Sequence, residues 1–118
     1  MSIYVSHLIK TEDMQSILDK YNVNIEIVNF SSAMILDRQA YHIEEFNRGL
    51  EGYLHNRSIS LHGPFVDMSP GSPDKEIRRV TLDRFNQCYS IAKEFKAKHM
   101  VFHSGFIPKV SYAPEWLE

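Results

Sequence analysis

Two histidines in this chain sit where chemistry is usually done in a parallel α/β protein. His62 closes the β-prone run Ile59-Ser60-Leu61, His103 closes Met100-Val101-Phe102, and each is followed at once by a small-residue turn, Gly63-Pro64 and Ser104-Gly105. The carboxyl ends of parallel strands are where such folds gather their active sites. Neighbouring strands lie about 4.8 Å apart, so imidazoles on adjacent strand tips can share one metal ion or one substrate. A neutral imidazole nitrogen binds zinc, manganese or iron directly. Either histidine alone is better read as a loop-carbonyl hydrogen-bond donor, and it is the repeated placement that argues for a shared site. A catalytic metal commonly takes three or more protein ligands, and the sequence offers no third residue in a comparable position.

Other candidates are weaker. Glu26 stands between Ile25 and Ile27, so it is read either as an inward-facing acid that polarises a substrate hydroxyl or buttresses His62, or as a carboxylate paired with a loop group. His7, just after a first short strand, could face the same pocket and touch substrate. Asp67 lies in the Gly63–Pro73 loop, where it either binds substrate or simply forms a turn. Trp116 is a candidate wall for a sugar, with helix packing as the plainer reading. His42, His55 and His99 are read as surface groups, and Cys88 falls on an apolar helical stripe and is expected to be inert.

The elements that must position these residues follow from periodicity. Ile3, Tyr4 and Val5 form a first strand, and Thr11-Glu12-Asp13 suits a helix amino terminus with Thr11 as the capping hydroxyl. Met14, Ile17, Leu18 and Tyr21 then recur at helical spacing, and Asn22 is expected to stop the helix before a second strand over Val23–Val28. Ile43, Phe46, Leu50, Tyr53 and Leu54 share one face of a second helix that Gly49 weakens. After the third strand, Ser72-Pro73-Asp74 reads as cap, proline and first-turn acid. The helix that follows carries a stripe of Ile77, Val80, Thr81, Phe85, Cys88, Ile91, Ala92 and Phe95, and a fourth strand runs from Met100 to His103. Strands alternating with helices predict a parallel sheet with right-handed crossovers. Tyr112-Ala113-Pro114-Glu115 reads as the start of one more helix.

The 118 residues carry a formal net charge of -2, one cysteine, and no apolar run of membrane-spanning length. A single cysteine excludes an intrachain disulfide and any cysteine-rich zinc cluster. The absence of a basic excess argues against nucleic acid as the main partner. Together with the lack of a leader-like start, these features predict a cytoplasmic protein without membrane attachment.

Ser60-Leu61-His62-Gly63-Pro64-Phe65-Val66-Asp67-Met68-Ser69-Pro70-Gly71-Ser72, followed by Val101-Phe102-His103-Ser104-Gly105, resembles the xylose-isomerase-like superfamily of sugar and sugar-phosphate isomerases and epimerases, which also holds the endonuclease IV-type apurinic endonucleases. The resemblance implies an α/β fold of (β/α)8 TIM-barrel type. A whole barrel needs about 250 residues, so residues 1–118 would be an amino-terminal half with the first four βα units, ending within the fourth helix. It further implies that His62 and His103 are metal-site or substrate-site histidines, with metal ligation the first reading, that Glu26 corresponds to an acid on strand two, and that the full-length enzyme uses a divalent metal (Zn, Mn, Mg or Fe) on a small sugar or sugar phosphate. The chain alone is then expected to lack a complete active site, and an exposed sheet edge would favour a homodimer of half-barrels. An apurinic endonuclease is the alternative activity, and a small complete flavodoxin-like domain the alternative fold.

Overall fold

The computed structural model describes residues 1–105 of the chain. Its elements run β1 (Tyr4–Ser6), α1 (Thr11–Lys20), β2 (Asn24–Ile27), α2 (Ala33–Leu36), α3 (Gln39–Gly49), β3 (Ile59–His62), α4 (Lys75–Glu94) and β4 (His99–Val101). The strands form one parallel sheet in the order β1-β2-β3-β4, each hydrogen-bonded to the next in sequence.

The expected (β/α)8 barrel is not what these residues build. β1 and β4 are the two edges of an open four-stranded sheet, and closing a parallel barrel of this kind takes eight tilted strands. Four strands can curl, and these do. The rings of Tyr4 on β1 and His99 on β4 meet edge to face with centroids 5.9 Å apart, although three inter-strand steps separate their strands by about 14 Å along the sheet. Only a sheet bent around the face that carries both rings brings them together, so that face is concave.

The two faces differ in kind because side chains alternate along a strand. Ile25 pairs with Ile59 and Ile27 with Leu61, and these four join Met14 and Leu18 of α1, Leu36 of α2, Ile43 and Phe46 of α3, and Cys88, Ile91 and Ala92 of α4 in a single apolar core. The helices therefore share one face of the sheet. The other face carries Ser6, Glu26, Ser60 and His62, which the registers Ser6↔Glu26 and Glu26↔Ser60 place side by side.

Several local expectations shift. Thr11 is the first residue of α1, and the cap position belongs to Lys10, which makes no side-chain capping bond. The stop after α1 is extended backbone at Tyr21, and Arg57 donates to the carbonyls of Leu18 and Val23 on either side of it. The second predicted helix ends at Gly49, so Leu50, Tyr53 and Leu54 pack from the connection that follows it. A Cβ at Gly49 would lie 3.0 Å from Thr11 Cγ2, so the glycine lets α3 approach the start of α1. In α4 the cap is Asp74, whose carboxylate accepts from the Glu76 N–H at 2.8 Å. Ser72 instead accepts from the Asp74 N–H at 3.2 Å. Ile77 and Val80, both 47% exposed, lie in the first two turns of α4 and do not join the core. Among the described residues no helix is long and apolar enough to cross a membrane.

Truncating Leu61, fully buried in a central strand, to alanine should cost about 2–5 kcal/mol in urea-unfolding measurements, while Ile77→Ala should stay within about 0.5 kcal/mol. Burial pushes the Cys88 thiol up to about 12 from 9.0. Because the thiolate is the reactive form, a disulfide reagent at mildly alkaline pH should label Cys88 only after unfolding. The same shift should drain folded-state stability between the two values as pH rises, since the unfolded thiol ionises first.

Candidate functional site

Strand β3 ends at His62 for covalent and steric reasons. Pro64 has no N–H to continue the ladder, and Gly63 makes the last bond, donating to Val101 O at 2.7 Å. A Cβ on Gly63 would sit 2.3 Å from Cδ1 of Phe102, so glycine is what allows the ring following β4 to lie across the tip of β3. This close approach holds the two strand ends together. The loop beyond is tied down by the N–H groups of Phe65 and Val66, which both donate to Ser31 O at 3.0 Å. Farther along, the Ser69 N–H donates to Thr81 Oγ1 at 3.0 Å, and Pro70 packs against Gly105.

With its backbone so held, His62 meets His103. Their Nε2 atoms are 2.9 Å apart and their rings perpendicular, with centroids 4.9 Å apart. On the other side, His62 Nδ1 faces Glu26 Oε1 at 3.4 Å, and the second carboxylate oxygen accepts the hydroxyl hydrogen of Ser6. Phe65 walls the pair, stacked on His103 at 5.3 Å and edge-on to His62 at 5.4 Å. His62 and Glu26 are mostly buried, with 16% and 19% of their side-chain surface exposed, whereas His103 is open to solvent. The result is a chain of polar groups, Ser6, Glu26, His62 and His103, running across the concave face from β1 to the tip of β4.

Its chemistry follows from proton placement. With a proton on Nδ1, facing the Glu26 carboxylate, Nε2 of His62 would present a lone pair. That lone pair can accept from a protonated Nε2 of His103, or both Nε2 atoms can turn lone pairs toward one cation. An ion bound at about 2.0–2.1 Å to two imidazoles places their nitrogens roughly 2.8–3.0 Å apart at a bond angle of about 90° and roughly 3.3–3.4 Å at about 109°, so the 2.9 Å separation matches the smaller angle. The pair therefore fits part of a divalent-metal ligand set, with Glu26 as the orienting partner behind it. Among the described residues no group of three or more histidine, cysteine, aspartate or glutamate side chains is gathered to complete that set.

Of the residues singled out from sequence, Glu26, His62 and His103 are brought together. His7 is not with them. It is 9% exposed and lies on the helix side of the sheet, where Nδ1 meets Asn29 Oδ1 at 3.2 Å and the ring packs edge-on against Phe46 at 5.6 Å. There it lines a separate small cavity of about 270 Å³ with Thr11, Asn29, Ile35, His42, Glu45 and Phe46. The reason is parity: His7 follows Ser6, and consecutive residues point to opposite faces. Asp67 is an exposed residue in a left-handed conformation, φ 59°, which is the geometry of a turn former. Trp116 lies outside the described residues. Sequence reading passed over Ser6 and gave Phe65 no role. Ser6 carries no motif, and only knowledge of the β1–β2 register would have marked it.

Fold and site together define a parallel α/β chain with a carboxylate-backed histidine pair at its strand tips. No protein-family model matches it. Over 62 residues the chain is 31% identical to an uncharacterized protein of Methanocaldococcus jannaschii, MJ1311, a match that takes in 51% of this chain and 21% of that protein. Its structure is similar to that of the TTHB071 protein from Thermus thermophilus, obtained with ZnCl2 soaking, at a TM-score of 0.66 and 25% identity, covering 97% of this chain and 42% of that one. The chain thus matches about a fifth of the length of the curated relative and 42% of the solved neighbour.

Gly63→Ala should displace Phe102 and loosen the junction of the β3 and β4 tips. In amide-exchange measurements the protection of the N–H at position 63 should fall relative to the wild type, while that of the Leu61 N–H, in the middle of the sheet, should hold.

Proposed function

We propose that His62 and His103 are two ligands of a divalent-metal centre in a sugar or sugar-phosphate isomerase or epimerase of the xylose-isomerase-like superfamily. The observation that carries the reading is the 2.9 Å approach of the two Nε2 atoms with a carboxylate behind one of them. A carboxylate on the far nitrogen of a metal-binding histidine is the usual arrangement that fixes the ring and raises its basicity. Zinc is the first ion to test, because the Thermus thermophilus neighbour was soaked with ZnCl2. The remaining ligands would come from outside residues 1–105.

When bound, a divalent ion would act as a Lewis acid toward neighbouring substrate oxygens and lower the cost of an enediolate or alkoxide. The chain's own residues supply the setting. His62 and His103 hold the ion, and Phe65 shields the imidazoles from one side. Glu26 orients His62, since both its oxygens are engaged by Ser6 and His62, which favours the buttressing role over direct proton transfer. The loop from Gly63 to Pro73 holds one charged residue, Asp67, and this suits a neutral polyol better than a polyanion.

The endonuclease alternative needs free cations near the site to neutralise phosphates. The cations of α4 sit on a helix that packs Cys88, Ile91 and Ala92 into the core, across the sheet from the face that carries Glu26 and His62, and two of them are paired, Arg79 with Glu76 and Asp83 and Arg84 with Asp37. This supports the small-molecule reading.

Zinc titration by calorimetry should show binding to the wild type, with about a tenfold or larger loss in His62→Ala and in His103→Ala. Equal zinc content in all three proteins would overturn the ligand assignment. A panel of aldoses, ketoses and their phosphates, followed by NMR for interconversion, tests the substrate class.

A further inference from the structure

Glu26 cannot orient His62 unless something orients Glu26. The β2 backbone fixes where its Cα lies, through the register with Ser6 and the 2.9 Å bond from the His7 N–H to Glu26 O. It does not fix the carboxylate plane, because the terminal torsion of a glutamate is broad and roughly two-fold. At 3.4 Å the contact with His62 is longer than the roughly 2.7–2.9 Å of a strong charge-assisted hydrogen bond, so by itself it holds the carboxylate plane only loosely. The remaining partner of that carboxylate is Ser6, whose hydroxyl donates to Oε2 from the neighbouring strand.

We propose that Ser6 is a positioning residue for the site. Its hydroxyl locks the Glu26 carboxylate so that Oε1 faces His62 Nδ1, which holds the neutral His62 ring in its Nδ1–H tautomer with the Nε2 lone pair directed at His103. A neutral imidazole has one N–H and one lone pair, so the choice made at Nδ1 decides whether Nε2 can bind a cation without first losing a proton. Ser6 thus acts on the metal-facing nitrogen through two intervening groups. Its consequence for zinc rests on the metal-centre reading, whereas the tautomer is a property of the metal-free protein.

The test is long-range proton–nitrogen NMR on the ring of His62 in metal-free protein at about pH 8.5, where an ordinary imidazole is neutral. Wild type should show a single Nδ1–H tautomer. Ser6→Ala should show a mixture of both tautomers and zinc affinity lowered about tenfold, and Ser6→Thr, which keeps the hydroxyl, should restore both. An Nε2–H tautomer in the wild type, or an unchanged population in Ser6→Ala, would overturn the proposal. Should Ser6→Ala not fold, Ser6→Cys offers a weaker donor of similar size, and an unchanged population there counts equally against it. If the tautomer responds as expected but no variant nor the wild type binds zinc, the metal reading fails and the positioning role stands.

Discussion

The alternation of side chains along four registered parallel strands governs everything else in this molecule. Because Ile25, Ile27, Ile59 and Leu61 fall on one parity and Ser6, Glu26, Ser60 and His62 on the other, a single register produces both the core and the polar site. The helices cover the first set, and their apolar stripes give the sheet its stability. The second set is left on a concave surface. A slip of one residue in β2 would turn Glu26 toward Leu61 and the core, where an unpaired carboxylate is costly. Core formation and site formation are thus two readings of one constraint.

The loops complete what the register begins. Strand tips are only useful if their side chains converge, and here convergence comes from close backbone approach: Gly63 beneath Phe102 and Phe65 tied to Ser31. The residues around His62 are therefore held from three sides, by Glu26 laterally, by Phe65 above and by the Gly63–Val101 bond behind. His103, one strand farther out, is exposed and takes its place chiefly from His62 and Phe65. This gradient from a braced imidazole to an open one suits a site that receives a ligand from solvent.

Much of this was legible in the residues. The strand–helix alternation, the core positions Met14, Leu18, Ile43, Phe46 and Cys88, and the strand-end placement of His62 follow from periodicity and turn chemistry, which are local properties of a chain. The pairing of His62 with His103 was anticipated from their repeated context. Closure into a (β/α)8 barrel was not realised, because closure depends on strand number and on what meets the two edge strands. Local pattern reports neither. Ile77 and Val80 fit the helical stripe of α4 yet are exposed, since a stripe predicts a buried face only where something lies opposite it.

The sequence by itself determined which residue types end each strand and which positions share a helix face, because both are set by backbone geometry within a few residues. Only the tertiary structure decided that Ser6 meets Glu26, that Glu26 backs His62, and that His7 turns away to Asn29 and Phe46. Those partners lie 20 to 39 positions apart in the chain, and bringing them together depends on inter-strand register and sheet curvature, which arise from packing of the whole core.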